Sequence, residues 1–266
     1  MATPFQIVVC GGIAPDPLQT IEPVPGPALK NEMMLPAVLD PWAWHALFEA
    51  GHLAKQAAGS KVYLVSLAPK AKLQQVMMTV AQKLAFELVA IDGPAGGFTD
   101  SFEVAAALAD AISGIPGLDN SRLLLFGGWE SATRGAGTTM QMVAERLGVT
   151  EQFLGVDEIK LEEAGSFVVK ERIEGGKHQI SRCAGAPAML GWATGNLPEP
   201  PNQPQVGMQN MRLIMPTLQK AKACPLTTAA ISYQSVGLPK QQRQTRIVKD
   251  TPSDQIAREI VEWINQ

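Results

Sequence analysis

The chain has 266 residues, of which 46% are hydrophobic, and its formal net charge is -3 at pH 7. This length allows one large domain or two small ones, and the weak negative charge argues against nucleic acid as a partner. No apolar run reaches the ~18–20 residues that cross a bilayer, and no basic segment precedes an apolar core as in a secretory signal. The three cysteines and three histidines lack the spacing of disulfide frameworks or metal sites, so we expect a cytoplasmic protein without a bound metal.

The first half of the chain alternates between predicted strands and helices. Strands are predicted at residues 5–10, 61–67, 87–91 and 123–126, and helices from Pro41 to about Ala58, over 70–84, from Thr99 or Asp100 through Ile112, and from Met140 to Leu147. The proline-rich stretch 15–36 predicts an extended loop or hairpin without a helix. Short links between alternating strands and helices predict a parallel sheet with helices on both faces.

The pattern changes after Gly148. Short alternating runs at 156–161, 167–173 and 178–183, separated by turns, predict an antiparallel meander, and 188–192 predicts one more strand. Residues 195–226 are rich in proline and have little core-forming pattern, and Ser253 opens a last helix. We therefore expect an α/β domain at residues 1–194 and an extended arm with a C-terminal helix at 195–266, which contacts a partner subunit.

The loop after the predicted strand 123–126 has the composition of an anion site. Where a strand passes through a small-residue loop into a helix, free backbone N–H groups and the helix dipole converge on one point. Thr138 and Thr139 add hydroxyl donors and Arg134 adds a positive charge, which favours a phosphate site. An ordinary turn between strand and helix fits the same pattern, because no P-loop or dinucleotide-binding fingerprint is present. The small residues are Gly127, Gly128, Ser131, Ala132, Gly135, Ala136 and Gly137.

Several stretches, taken together, resemble the beta subunit of electron-transfer flavoprotein over nearly the whole chain. The most specific is Val168 to Ile180 (VVKERIEGGKHQI), followed by Ala186 to Leu190 (APAML), which is similar to a family signature with an acidic-Gly-Gly turn between two strands. Further matches are Met215 to Lys222 for Leu-Pro-x-x-x-Lys-Ala-Lys, Asp40 to Ala43 for Asn-Pro-aromatic-small, Ile7 to Cys10 with Pro15-Asp16, and Pro239 with Arg243.

The resemblance implies a fold, cofactors and partners. The implied fold is a Rossmann-like three-layer α/β/α domain with a mainly parallel sheet, an antiparallel meander and an extended C-terminal arm around an alpha subunit. The heterodimer of that family holds one redox-active FAD, mainly through the alpha subunit. The beta subunit holds AMP, or a second FAD in electron-bifurcating members. Electrons come from flavin dehydrogenases of the acyl-CoA dehydrogenase type and leave to a quinone reductase or another acceptor.

Carried over by position, the resemblance implies nucleotide contacts at strand ends and in the central loop. The chain departs from the family at Ala132 to Arg134, where acidic residues are usual, at Thr138 to Met140, which replaces Thr-Gly-Gln, and at Gly12, which replaces Lys. AMP, FAD and an empty site therefore stay open, and Arg134 favours a pyrophosphate by restoring the charge missing at Gly12. The implied cofactor-binding residues are Cys10, Asp40, Pro41, Trp42, Ala43, Leu67, Gly127, Arg134, Gly135, Ala136, Gly137 and Thr138.

Met215 stands where the family places a leucine that anchors the carrier to its dehydrogenase. The apolar residues around it are typical of an interaction site, and Pro216 predicts an extended conformation at Met215. The alternative is that these side chains pack inward under the arm. No catalytic triad, nucleophile elbow, carboxylate pair or metal set occurs, which favours an electron carrier without catalytic residues over an enzyme.

Two other functions are possible on the same fold. An adenylating or ATP-hydrolysing enzyme needs a hydroxyl-rich phosphate loop after the first strand, and Ile13-Ala14-Pro15 follows the glycines there instead. A stand-alone stress-type nucleotide-binding protein has no use for a proline-rich arm that contacts a partner.

Overall fold

The computed structural model describes residues 4–94, 96–226, 231, 233–240, 242 and 245–265. The chain divides into two compact units, Met1–Val236 and Gly237–Gln266. The strands of the first unit are β1 (Gln6–Cys10), β2 (Ile13–Pro15), β3 (Pro23–Val24), β4 (Ala28–Leu29), β5 (Ala37–Leu39), β6 (Lys61–Ala68), β7 (Glu87–Asp92), β8 (Leu123–Gly128), β9 (Gln152–Leu161), β10 (Phe167–Arg172), β11 (His178–Cys183), β12 (Ala188–Trp192) and β13 (Lys222–Ala223). Its helices are α1 (Pro41–Gln56), α2 (Lys70–Val80), α3 (Ser101–Ser113), α4 (Thr139–Arg146) and α5 (Pro204–Gln219), and the second unit contains α6 (Ser253–Ile264).

A nine-stranded sheet with the order β11-β10-β9-β12-β8-β1-β6-β7-β13 forms the centre of the first unit. Strands β12, β8, β1, β6 and β7 run parallel, and β9, β10 and β11 form the predicted antiparallel meander. Strand β12 returns from the meander and lies parallel between β8 and β9. The predicted mainly parallel α/β/α architecture is confirmed.

The central strands are buried on both faces because each face is covered by helices. In β8, Leu124 and Phe126 join the core that packs under α1, α2 and α5, whereas Leu123 and Leu125 join the core under α3 and α4. All four side chains are fully buried. A continuous apolar run, without alternation, is what a strand between two helical layers requires.

The direction of the chain reverses across β1. From β1 it proceeds through α1 to β6 and through α2 to β7 on one side, then crosses by α3 to β8 on the other side. Such a switch point leaves a crevice outside the carboxyl ends of the two diverging strands, where ligands of open α/β sheets bind.

The segment after β12 differs from the predicted extended arm. Residues 204–219 form a helix, Met215 has a helical backbone, and Pro216 lies inside α5. The helix forms because Gly207, Asn210, Ile214 and Leu218 make one stripe at helical spacing, and all are buried. The proline removes one backbone hydrogen bond near the end of the helix, which this burial offsets.

Polar contacts fix α5 to the end of α2. The Asn210 side-chain amide donates to the carbonyl oxygens of Ala81 and Leu84, at 2.8 and 3.0 Å. Lys83 forms an ion pair of 2.6 Å with Glu199 and donates to the carbonyl oxygen of Pro200. The prediction that an arm leaves the domain at residue 194 is therefore corrected as far as α5 and β13, because both belong to the first compact unit.

The second unit contains a strongly amphipathic helix. Along α6 the large apolar side chains are exposed within this unit, and Trp263 and Ile264 are more than 70% exposed. Arg246 forms an ion pair of 3.2 Å with Glu259. Pro239 lies in this unit, whereas Arg243, which the sequence comparison paired with it, is outside the described residues.

Glu49 of α1 is a buried carboxyl that holds the segment after β12. It accepts hydrogen bonds from the backbone N–H groups of Asn196 and Leu197, and a Cβ at Gly195 would lie 3.0 Å from its Oε1 atom. Burial raises the pKa of Glu49 to about 7, an effect that the two hydrogen bonds oppose and the charge of Glu158 adds to. Glu49 therefore keeps its proton to a higher pH in the folded protein than in the unfolded chain.

We expect Glu49→Gln to remove a pH dependence of stability. The folded pKa is raised, so the contribution of Glu49 is fully present below its unfolded pKa and is lost as the pH rises through about 7. The unfolding free energy of the variant relative to the wild type should thus increase between pH 5 and pH 8, by an amount on the order of 2 kcal/mol. Urea denaturation at both pH values measures this, with the exposed Glu174→Gln as control. Parallel curves for wild type and Glu49→Gln would contradict it.

Candidate functional site

A cleft opens at the switch point, between α1 on one face of the sheet and α3 on the other. Its floor is formed by the carboxyl end of β1, and one wall is the loop that joins β8 to α4. The residues that line it are Cys10, Gly11, Gly12, Ile13, Asp40, Ala43, Leu67, Val104, Leu108, Gly128, Trp129, Glu130, Ser131, Thr133, Arg134, Ala136, Gly137, Thr138, Thr139 and Met140.

Asp40 connects the start of α1 to the loop after β8. One carboxylate oxygen accepts the N–H of Trp42 at 3.1 Å, which caps the helix, and the other accepts the N–H of Ala132 at 2.8 Å. The backbone N–H of Asp40 donates to the carbonyl oxygen of Gly12. Burial raises the pKa of Asp40, and the hydrogen bonds and the charge of Arg134 oppose that shift. One side chain thus fixes two walls of the cleft.

The path of the loop depends on glycine at its start. A Cβ at Gly128 would lie 2.5 Å from the carbonyl oxygen of Glu130 and 2.6 Å from Cβ of Trp42, so only glycine fits beside the tryptophan. The N–H of Trp129 donates to the carbonyl oxygen of Trp192, and the N–H of Gly135 donates to that of Ser131. The Trp129 bond joins the loop to the end of β12, and the Gly135 bond closes a turn within the loop.

The last part of the loop presents unpaired donors. Gly135 and Gly137 adopt positive φ angles of 59° and 63°, which turn the chain into the start of α4. The N–H groups of Ala136, Gly137 and Thr138 donate to no residue in the described part of the chain. Because they precede the positive end of α4, this is an arrangement that binds anions.

Arg134 adds a largely buried cation to these donors. Burial lowers the pKa of its guanidinium, and the nearby Asp40 and Tyr233 counteract the shift. Asp40 lies beyond ion-pair distance from Arg134, because no ion pair within 4.0 Å joins these two described residues. A guanidinium remains protonated at neutral pH even when buried, so the cleft contains a permanent positive charge.

Buried polar atoms without a partner indicate what the cleft accommodates. In the described residues these are Nε1 of Trp129, Nε of Arg134, Oε1 of Gln141 and Nε1 of Trp192. The first two belong to residues that line the cleft. Buried donors are almost always paired in proteins, so these two unpaired donors, one of them part of the Arg134 guanidinium, fit an anionic ligand such as a phosphate.

Cys10 is positioned for contact with a ligand and is unsuited to thiol chemistry. Its side chain is only 6% exposed, and burial raises its pKa to about 12. A thiol with so high a pKa is neither a nucleophile nor a metal ligand at neutral pH. Among the described residues, no group of His, Cys, Asp and Glu is arranged to hold a metal ion. In the same residues, every helix is too short or too polar to span a bilayer.

The structure brings most of the predicted site residues together. Eight of them line the cleft: Cys10, Asp40, Ala43, Leu67, Arg134, Ala136, Gly137 and Thr138. Pro41 and Trp42 lie behind Asp40 in the first turn of α1, Gly127 packs against Met140, and Gly135 lies in the turn before α4. Sequence reasoning missed Val104 and Leu108 of α3, because their helical spacing shows only that they face the sheet.

Met215 lies away from this cleft, on the opposite side of the sheet from α3. It lines a shallow apolar groove between α2 and α5 together with Met78, Gln82, Pro204, Gly207, Met208, Met211 and Arg212. Its side chain is half-buried against the core, whereas Met78 and Met208 are 57% and 64% exposed. Both alternatives for Met215 thus apply in part, because one side of it packs inward and the other faces the groove.

Comparison with known proteins agrees with this architecture. A family described as electron transfer flavoprotein domain matches residues 31–231, which is more than half of the chain and includes most of the cleft and all of α5. A search among curated proteins finds no match. From the sheet, the cleft and the extent of this match, we conclude that the chain belongs to the electron transfer flavoprotein family.

Proposed function

We propose that this chain is the beta-type subunit of a heterodimeric electron-transfer flavoprotein. Members of the family are electron carriers that bind flavin. The beta assignment rests on the residues 168–180 and 186–190, which resemble the beta signature and here form β10, the turn, β11 and the start of β12. The electron-carrying FAD is then shared with an alpha-type subunit.

The cleft at the switch point is proposed to bind an adenine nucleotide. The observation that carries this proposal is the pair of buried, unpaired donors on Trp129 and Arg134, which lie beside the free N–H groups before α4. The ligand is AMP, or a second FAD if the heterodimer bifurcates electrons. When bound, a second flavin would supply redox chemistry that AMP does not have. The residues of this chain bind the phosphate, exclude water and fix the orientation of the ligand.

The groove between α2 and α5 is proposed to dock the electron donor, a flavin dehydrogenase. Methionine side chains adapt to partner surfaces of varied shape, and four of them line this groove. No acidic residue occurs from Pro69 to Phe86 or from Pro200 to Leu226, whereas Lys70, Lys220, Lys222 and Arg212 do. This charge balance fits a partner that presents carboxylates around an apolar side chain.

The C-terminal unit is proposed to contact the alpha-type subunit. Within this unit, α6 exposes Ile256, Ile260, Val261, Trp263 and Ile264, which is more apolar surface than an isolated helix normally leaves in water. An amphipathic helix of this kind stabilises a complex by laying its apolar face into a groove of another chain.

Co-purification with the alpha-type partner tests the proposed function. The chain should elute as a heterodimer, and acid extraction should release about one FAD per heterodimer with one AMP, or two FAD. One FAD and no second nucleotide would remove the nucleotide site from the proposal. If the purified chain binds nucleotide and hydrolyses ATP without a partner, the enzyme alternative is favoured. If it binds nucleotide without a partner and without hydrolysis, the stress-type alternative is favoured.

A further inference from the structure

Two described parts of the chain after β13, residues 224–226 and Tyr233, contact the domain near the nucleotide cleft. Cys224 donates its N–H to the carbonyl oxygen of Asp92 at 2.8 Å, and Leu226 packs against the core under α3. Further along, the rings of Tyr233 and Phe98 meet edge to face, with centroids 5.3 Å apart and an interplanar angle of 88°. The loop after β7, which carries Phe98, therefore holds Tyr233 in place.

The same loop lies against the wall of the cleft. A Cβ at Gly97 would lie 2.9 Å from the carbonyl oxygen of Thr133, so the two loops are in close backbone contact. Thr133 precedes Arg134 and lines both the nucleotide cleft and the neighbouring apolar cavity that Phe98 lines. Through these contacts Tyr233 lies near Arg134, and it is one of the groups that oppose the lowering of the guanidinium pKa by burial.

The hydroxyl of Tyr233 is not needed for this packing. The contact with Phe98 involves the ring, the side chain remains 41% exposed, and no hydrogen bond joins its hydroxyl to a described residue. A phenol O–H is a good donor to an anionic oxygen, and Arg134 attracts such an anion to this place. Tyr233 also lies beyond residue 231, where the match to the family ends.

We propose that Tyr233 is a binding residue of the nucleotide site, whose hydroxyl donates to the phosphate that Arg134 neutralises. This inference rests on the proposed nucleotide binding. It adds to the cleft a polar group from the part of the chain after β13, beside the loops after β7 and β8. Tyr233 as well as Arg134 should then make the chain bind a nucleotide more tightly than the corresponding nucleoside.

Calorimetric titration of the full chain with AMP and with adenosine tests the proposal. Tyr233→Phe keeps the ring and removes the hydroxyl, so it should lower the affinity for AMP by about 10- to 100-fold, as expected for a hydrogen bond to a charged group. The affinity for adenosine and the thermal stability should not change. Tyr233→Ala should lower the affinity for AMP further, because the ring that packs on Phe98 is also lost.

Two outcomes would overturn the proposal in different ways. If the wild-type chain binds AMP and Tyr233→Phe binds it equally well, or loses AMP and adenosine affinity by the same factor, Tyr233 does not contact the phosphate. If the wild-type chain binds no adenine nucleotide, the proposed nucleotide site fails and this inference fails with it. Leu238→Ala, a change at another exposed residue of the C-terminal stretch, serves as control and should bind AMP like the wild type.

Discussion

Replacing Arg134 with aspartate is expected to lower the affinity of the chain for AMP or FAD by about 100-fold or more. The change removes a charge-assisted hydrogen bond to phosphate, which contributes about 1.5–3 kcal/mol. It also places a second carboxylate near Asp40, which lines the same cleft and already interacts with position 134. An anionic ligand would then meet repulsion where it now meets a buried cation.

Three further variants separate these effects. Arg134→Gln removes the charge without adding a carboxylate and should weaken binding less than aspartate does. Arg134→Lys keeps the charge but loses the planar donor pair, so it should retain part of the affinity. Arg182→Asp makes the same change of charge at an exposed position on β11, paired with Glu162, and should leave nucleotide binding intact. Unchanged nucleotide content in Arg134→Asp, measured after extraction, would remove Arg134 from the site.

Met215→Ala is expected to reduce binding to a flavin dehydrogenase by about 1–3 kcal/mol, or roughly 5- to 150-fold in affinity. The truncation leaves a gap in the middle of the methionine groove, whose other walls come from Met78 of α2 and Met211 of α5. Because one side of Met215 packs against the core, a stability loss on the order of 1 kcal/mol accompanies it. Electron transfer from the dehydrogenase and thermal unfolding of the carrier should be measured together.

The neighbouring Leu213 provides a matched control. It is 74% exposed and does not line the groove, so Leu213→Ala should change neither partner affinity nor stability by a measurable amount. Met215→Leu conserves volume and should retain most of the transfer rate. If Met215→Ala loses transfer only in proportion to its loss of folded protein, Met215 is a core residue and the groove docks no partner.

The sequence was informative where structure is decided locally. Apolar runs such as Leu123 to Phe126 and the Asp40-Pro41 start of α1 are signals within a few residues, and both predictions hold. Strand order is different, because it is decided by contacts between distant residues. No pattern in residues 188–192 predicts that β12 lies parallel between β8 and β9.

The error at α5 shows how burial outweighs a local preference. Prolines at 198, 200, 201, 204 and 216 favour an extended chain, and the sequence prediction followed them. The stripe from Gly207 to Leu218 stabilises a helix only when it is buried against α2. Asn210 likewise donates to Ala81 and Leu84, which are more than 120 residues away in the sequence. The hydrogen bond between Asp40 and Ala132, which shapes the cleft, spans 92 residues and has no local signal either.

The attachment of the loop after β8 through its main chain has a consequence for how the site can diverge. The bonds from the Ala132 N–H to Asp40, from Trp129 to Trp192 and from Gly135 to Ser131 use backbone donors, which every residue except proline supplies. Side chains at 132 and 134 can therefore be exchanged without altering the course of the loop, whereas the hydroxyl of Thr133 adds a side-chain bond to Ser131. Single substitutions at these positions can change which ligand is preferred while the loop keeps its course. This is possible because Asp40 fixes the loop through the backbone N–H of Ala132.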